Sequence, residues 1–271
     1  MELRNEIESF IADYIIEYSR ERHLQTAFAS PVVGFADASS DYIKNIRKVT
    51  NEKHAFPQDI LPDASLIISY YIPFTRELAK TNDSKADCTD KESGFEHCSD
   101  KWARAYIELN TLMADMNTAL AELVRSKGYN AAVVTDATKF DTELLMSYWS
   151  QRHIAYAAGL GTFGMNNMLI SKKGCCGRYN SIVTAIPSSV ISPDAPLSEE
   201  RCLFKRNGTC GVCMRRCPVH ALDVNGGNKK APLFNRAGCY GSCLENAAKY
   251  PGADVCGKCV TAAACAFLDL E

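Results

Sequence analysis

Thirteen cysteines in a chain of 271 residues are the side chains best suited to chemistry here. Nine of them lie in the last seventy residues, beginning at Cys202 and ending at Cys265. Cysteine thiolates bind zinc ions and iron–sulfur clusters. A run of this density therefore predicts a metal centre in the tail.

The spacing Cys210-x2-Cys213-x3-Cys217-Pro218 is the back half of the cysteine run of bacterial ferredoxins. In that run three thiolates on one loop hold one cubane, and the cysteine before the proline holds the other. A full run would begin three residues before Cys210, where this chain has Asn207. Cys202 is the substitute for this missing cysteine, and a longer loop separates it from Cys210. The pattern predicts two [4Fe-4S] clusters.

The fourth ligand of each cluster must come from a distant segment, as in ferredoxins. The predicted ligands of the first cluster are Cys202, Cys210, Cys213 and Cys265. The predicted ligands of the second cluster are Cys217, Cys239, Cys256 and Cys259. Cys243 is left over and could displace Cys239.

A structural zinc site is the main alternative, because Cys210-x2-Cys213 and Cys256-x2-Cys259 could supply four thiolates. The 42 residues between the two pairs exceed the roughly 15 to 20 of the common zinc arrangement. Zinc would also leave five nearby cysteines unused. Iron–sulfur is therefore the favoured interpretation.

The charge distribution differs between the two parts of the chain. Residues 1–200 carry 20 Lys and Arg against 27 Asp and Glu, whereas residues 201–271 carry 10 against 5. Two oxidised cubanes with four thiolates each bring about −2 apiece, which a basic tail offsets. The basic tail therefore does not predict nucleic-acid binding. The charged start and the lack of a long apolar run predict a cytoplasmic protein with no membrane span.

The periodicity predicts a mixed α+β or α/β scaffold. Helices are expected at 2–23, 41–49, 102–124 and from Asp141 onward, and strands at 32–35, 66–71, 131–135, 168–171 and 180–186. The polar segment 75–100 is expected to be an active-site lid, with His97 and Cys98 as surface groups. Cys175 and Cys176 are interpreted as packing residues. A proline- and serine-rich linker at 187–196 divides the chain into domains 1–195 and 196–271.

Two features of the first domain could form a site. Asp136 follows the strand at 131–135, at the strand end where ligands of α/β sheets usually bind, and is the candidate acid or base; a helix cap is the alternative role. Gly159, Gly161 and Gly164 let the backbone pass close to a bulky ligand. Because a helix precedes these glycines and a strand follows them, a dinucleotide fingerprint is excluded.

Several separated segments together resemble the epoxyqueuosine reductases and, more distantly, the corrinoid-dependent reductive dehalogenases. They are Lys101–Tyr106, Val134–Ala137, the turn from His153 to Asn166, and the two-cluster tail. The chain departs from the family at Asn207, in the stretched Cys256-x2-Cys259-x5-Cys265 run, and at Met165, where the family has lysine.

The resemblance implies a nitroreductase-like domain that holds cobalamin, followed by a ferredoxin-like domain with two [4Fe-4S] clusters. Electrons would pass from cluster to cluster to cobalt. Asp136 would supply a proton as oxygen leaves the substrate, and Gly159, Gly161, Gly164 and Asn166 would contact the cobalamin.

Two functions follow as hypotheses. The first is a reductase that receives electrons from a ferredoxin-like, flavodoxin-like or reductase donor and acts on an unidentified substrate. The second is an electron-transfer or interaction protein without corrinoid chemistry of its own. A tRNA substrate is implied by the resemblance, but the charge distribution does not support it.

We expect only weak tRNA binding at moderate salt, because phosphate contacts need many exposed Lys and Arg side chains. Fluorescence anisotropy with labelled tRNA over a range of salt concentrations measures this. Tight binding that weakens steeply with salt would contradict the expectation.

Overall fold

A computed structural model of the chain describes residues 2–135, 138–223 and 233–269. The helices in these ranges are α1 Glu2–Glu21, α2 Asp41–Lys44, α3 Ile46–Val49, α4 Pro57–Ile60, α5 Arg76–Asp83, α6 Lys85–Cys88, α7 Asp100–Ser126, α8 Gln151–Ala157, α9 Leu203–Asn207, α10 Val212–Arg216, α11 Arg236–Lys249 and α12 Lys258–Thr261. The strands are β1 Val32–Asp37, β2 Leu66–Pro73, β3 Ala131–Val133, β4 Phe140–Asp141, β5 Met146–Ser147, β6 Gly161–Phe163, β7 Leu169–Ser171, β8 Gly177–Thr184, β9 Leu222–Asp223 and β10 Leu233–Phe234.

A four-stranded sheet forms the centre of this mixed α/β fold, with strand order β1-β2-β8-β3 and only antiparallel pairs. Every residue of β2 is buried, because helices cover both faces of the sheet. Ile68 and Tyr70 point into one core with α1 and α7, whereas Ile67 and Tyr71 point into the other with α2, α3 and α8. This two-residue alternation is what a strand between two layers requires.

The long helix α7 is the main support of the site. It begins at Ser99, whose hydroxyl accepts a hydrogen bond from the Trp102 N–H at 3.1 Å, and Gly128 follows its end with φ +86°. Both signals are typical helix boundaries. The predicted helix at 102–124 and its glycine stop are confirmed.

The cysteine-rich tail packs directly on this scaffold. Cys202, Cys213, Val260 and Ala266 belong to the same contacting group of buried side chains as Leu109 of α7. In the predicted linker, the N–H of Asp194 donates to the Phe35 carbonyl at 2.7 Å, and the Phe35 N–H donates to the Asp194 carboxylate at 2.9 Å. The linker is therefore fixed to β1, and the boundary after residue 195 stays a prediction.

The segment 75–100 differs from the expected lid. It contains α5 and α6, and Cys88, His97 and Cys98 are all buried. The prediction of His97 and Cys98 as surface groups is wrong. Two of its polar residues, Asn82 and Glu96, are buried where they contact the tail. Composition alone does not distinguish such residues from the exposed polar residues around them.

The predicted helix from Asp141 is also wrong. The chain forms the β4–β5 hairpin there, and the Asp141 carboxylate accepts hydrogen bonds from the N–H groups of Glu143 and Leu144, both at 2.9 Å. An aspartate side chain that satisfies turn N–H groups competes with helix formation. The helix therefore begins only at Gln151.

Some element boundaries also differ from the expectation. The helix predicted at 41–49 is divided at Asn45, and β6 was not predicted. No helix in the described ranges is long and apolar enough to cross a membrane.

Replacing Asn117 with alanine should lower the free energy of unfolding by about 1–3 kcal/mol, because it leaves the buried Tyr70 hydroxyl without its strong acceptor. That hydroxyl donates to the Asn117 side-chain oxygen at 2.7 Å. Urea denaturation measures the change. Thr118→Ala, an exposed position on the same helix, is the control. Equal stability of the two variants would contradict the prediction.

Candidate metal centre

Five cysteines line one cavity of about 240 Å³ between α7, β8 and the tail. They are Cys217, Cys239, Cys243, Cys256 and Cys259. The structure thus brings together all four predicted ligands of the second cluster, with the leftover Cys243 beside them.

Local backbone geometry sets the positions of these thiols. Cys217 ends α10 immediately before Pro218, while Cys239 and Cys243 lie one turn apart on α11. Gly257 has φ +77°, and a β-carbon there would lie 2.4 Å from the Trp102 ring. Only glycine therefore lets the Cys256–Cys259 loop approach α7 this closely.

Three buried donors of residues on the cavity wall have no hydrogen-bond partner within the described ranges. They are Trp102 Nε1, Arg178 Nε and Ser242 Oγ. A buried donor without a partner costs about 1–3 kcal/mol. Sulfide and thiolate sulfurs of an iron–sulfur cluster accept hydrogen bonds, so these donors fit such a cluster. Cys217 Sγ already accepts the Ala221 N–H at 3.2 Å.

The surroundings of Cys239 favour its thiolate form. Its pKa falls to about 7, first because the Cys243 thiol donates to it and also because Arg152 and Arg236 lie nearby, while burial acts in the opposite direction. The same hydrogen bond raises the pKa of Cys243. This polarity favours Cys239 as the predicted ligand, and the choice between Cys239 and Cys243 stays a prediction.

The predicted ligands of the first cluster also lie near one another. Burial raises the pKa of Cys213 to about 12, and the charges of Cys265, Cys202 and Cys210 contribute to the rise. The two groups of cysteines adjoin. The pKa of Cys259 is raised mainly by burial and by the charges of Cys256 and Cys239, and the charge of Cys213 adds a smaller contribution. Such neighbouring clusters would suit electron transfer from one to the other.

Cys175 has a contact that sequence reasoning missed. Its Sγ lies 3.8 Å from Cys265 Sγ, and its N–H donates to the Cys265 carbonyl at 2.9 Å. Gly174, with φ +97°, allows this approach, because a β-carbon there would meet the Ala266 carbonyl oxygen at 2.2 Å. The glycine before the cysteine pair was the available signal. Cys176 is completely buried, as a packing residue would be.

The glycine turn predicted to contact cobalamin packs against the protein itself. A β-carbon at Gly159 would lie 2.6 Å from the Ala195 carbonyl oxygen, and one at Gly161 would lie 2.2 Å from that of Ile170. At Gly164 the neighbour is the Asn166 side chain, at 2.7 Å. The three glycines are thus required by the packing of the chain, and their contact with cobalamin stays a prediction.

Asn166 faces the cysteines rather than a corrinoid pocket. It is buried, and its side-chain amide lies 3.7 Å from Cys175 Sγ and 3.4 Å from the Cys259 carbonyl oxygen. The residue predicted to contact cobalamin therefore connects the turn to the neighbourhood of both predicted clusters.

Asp136 lies outside the described residues, so its role stays a prediction. β3 ends at Val133, and the described chain reaches Thr135. The parallel-sheet reasoning behind its selection is wrong, because neighbouring strands of the antiparallel sheet have their carboxyl ends at opposite edges.

The zinc alternative needs four ligand atoms around one ion, at about 2.3 Å each for thiolate sulfur. Within residues 2–135, 138–223 and 233–269, no group of three or more His, Cys, Asp or Glu side chains could hold a single metal ion.

Comparison with known proteins supports the resemblance seen in the sequence. The chain is 29% identical over 170 residues to the epoxyqueuosine reductase of Staphylococcus aureus, a match that covers 63% of this chain and 39% of that protein. The chain thus matches well under half of its relative's length. No protein-family profile matches the chain. The predicted resemblance to the epoxyqueuosine reductases is confirmed.

Solved structures give weaker likenesses. The epoxyqueuosine reductase of Streptococcus thermophilus has a TM-score of 0.44 at 18% identity, over 80% of this chain and 54% of that chain. A reductive dehalogenase, whose structure is described as suggesting a mechanism for B12-dependent dehalogenation, has a TM-score of 0.46 at 18% identity. The match covers 71% of this chain and 23% of that chain. These scores are too low to bear on function.

We expect Cys239→Ser to lose about four irons per chain and Cys243→Ser to keep them, because only Cys239 is held as a thiolate by its neighbours. Iron and sulfide analysis of the anaerobically purified variants measures this. Cys88→Ala, a buried cysteine outside the cavity lining, is the control. Iron loss in Cys243→Ser alone would reverse the ligand assignment.

Proposed function

We propose that this chain is an iron–sulfur oxidoreductase related to the epoxyqueuosine reductases, with two adjoining [4Fe-4S] clusters in its tail. The observation that carries the proposal is the cavity with five cysteines on its wall and three wall residues whose buried donors have no partner within the described ranges. Cys202, Cys210, Cys213 and Cys265 would hold the first cluster. Cys217, Cys239, Cys256 and Cys259 would hold the second.

When bound, the clusters supply one-electron transfer. The protein's own residues hold the second cluster away from water and offset its charge. Arg178 lies over the Tyr106 ring at 4.3 Å, and the Tyr106 hydroxyl donates to the Asp254 carboxylate at 2.6 Å. All three residues line the cavity, so these contacts help to fix its wall.

Arg152 adds a positive charge on the sheet side of the thiols. It donates to the Asn167 carbonyl at 2.8 Å, and the charges of Cys239 and Cys259 oppose the lowering of its pKa by burial. A guanidinium in this position would stabilise an anionic cluster. This agrees with the basic tail, whose charge we interpret as compensation for the clusters.

At the substrate end of the reaction, Asp136 is the proposed proton donor, a role worth about 10²- to 10⁴-fold in rate. The resemblance implies cobalamin as a further cofactor, with Gly159, Gly161, Gly164 and Asn166 as its proposed contacts.

A nitroreductase-like domain over residues 1–195 and a ferredoxin-like domain over residues 196–271 are part of the same proposal. The electron donor would be a ferredoxin-like or flavodoxin-like protein or a reductase. An electron carrier without substrate chemistry is the second candidate, because the glycine turn is filled by the chain itself.

Anaerobic purification followed by iron, sulfide, zinc and cobalt analysis tests the proposal. We expect about eight iron and eight sulfide per chain, the sum of two cubanes, with little zinc. A Cys256→Ala/Cys259→Ala variant should keep about half of the iron, and Cys88→Ala should keep all of it. Zinc in place of iron would overturn the proposal.

The cobalt value separates the two candidate functions. Added cobalamin retained at about one cobalt per chain would support the corrinoid mechanism. Intact clusters without cobalt, together with electron exchange with a donor protein, would select the carrier.

A further inference from the structure

A lysine is buried between two predicted ligands of the second cluster. Lys258 is the first residue of α12, between Cys256 and Cys259, and its side chain has 0% exposure. Its ammonium donates to the Asn82 carbonyl at 2.7 Å and lies 3.3 Å from the Glu96 carboxylate. Burying a charge costs several kcal/mol, so a position that only needed filling would suit an apolar side chain better.

The Glu96 carboxylate is shared with a second cation beside the same cavity. Arg216, next to Cys217, lies 3.2 Å from Glu96 and 3.1 Å from Asp83. Each of the two cysteine loops, one with Cys217 and one with Cys256 and Cys259, therefore carries a cation, and Glu96 lies between the two cations.

The segment that supplies Glu96 is held firmly against the tail. The Asn82 side-chain amide donates to the Cys256 carbonyl at 3.0 Å, and the Ser99 N–H donates to the Asn82 side-chain oxygen at 2.9 Å. The Cys98 N–H donates to the Asn246 side-chain oxygen at 2.7 Å. The segment predicted to be a lid thus fixes the distance between Glu96 and the cavity.

The buried charge of Lys258 lies on the loop that carries two predicted ligands, one residue from Gly257 and next to Cys259 in the chain. A fixed cation stabilises the more negative, reduced form of a cluster, and the interaction is strong where water is excluded. A fixed carboxylate has the opposite effect.

We infer that Lys258 and Glu96 together set the reduction potential of the second cluster, with Lys258 raising it and Glu96 lowering it. Both are positioning residues, because neither touches the reacting atoms. The inference rests on the proposed function, since it requires the cluster. The couple is the one-electron reduction of a [4Fe-4S] cluster, with the electron supplied by a low-potential protein donor, or by dithionite in the test.

A potentiometric titration with dithionite, followed by electron paramagnetic resonance on the anaerobically purified protein, tests the inference. In Lys258→Met, the ratio of reduced to oxidised second cluster at a fixed potential should fall on the order of tenfold, equal to 59 mV for a one-electron couple. In Glu96→Gln the ratio should rise by a similar factor.

Matched controls are Lys249→Met and Glu245→Gln on α11, the helix that carries Cys239 and Cys243. Both positions are exposed, so solvent and salt screen their charges and the shifts should be much smaller. The first cluster should keep its potential in all four variants.

The outcomes are distinguishable. Wild-type protein without clusters would overturn the proposed function. Intact clusters with no shift, or with shifts of the same sign in both variants, would overturn the inference alone. If Lys258→Met loses iron, the potential of the second cluster in Glu96→Gln tests the inference, because glutamine keeps the shape of the glutamate side chain. Iron loss in both would mean a purely structural role and would also overturn the inference.

Discussion

The close packing of the Cys256–Cys259 loop against α7 is the contact on which the candidate site depends. The Trp102 ring occupies the space that a side chain at residue 257 would fill, and Phe74 of the sheet lies against the same ring, with centroids 4.9 Å apart. Cys202, Cys213, Val260 and Ala266 of the tail belong to the same group of buried side chains as α7. The thiols reach their common cavity only as a result of that packing.

Charge is the second constraint on this site. The proposed cluster with its four thiolates would carry net negative charge. Cations from both halves of the chain would offset it: Arg152 and Arg178 from the sheet side, and Lys258 and Arg216 from the tail. The Glu96 carboxylate pairs with Lys258 and Arg216. Under the proposed function, the basic composition of the tail is compensation for the clusters and does not indicate nucleic-acid binding.

The regular elements with strong periodicity could be predicted from the sequence, and α1, α7 and β2 lie close to the expected residues. Local turn chemistry was less predictable. Asp141 had the features of a helix cap, but its carboxylate satisfies the N–H groups of a hairpin turn. His97 and Cys98 lie in a polar segment, yet they are buried because that segment contacts the tail. Polar composition does not reveal whether the partner is water or protein.

The cysteine spacings by themselves predicted the metal chemistry and a division of eight thiols into two groups, because short spacings on a turn bring thiolates to one cluster. The tertiary structure alone decided the remaining features. It placed Cys175 against Cys265, packed the glycine turn against the chain's own carbonyl groups, and buried Lys258 with Glu96. The two pairs are 90 and 162 positions apart in the sequence, and the glycine turn contacts its own surroundings. Such contacts depend on how the helices and the sheet pack, and no local pattern encodes them.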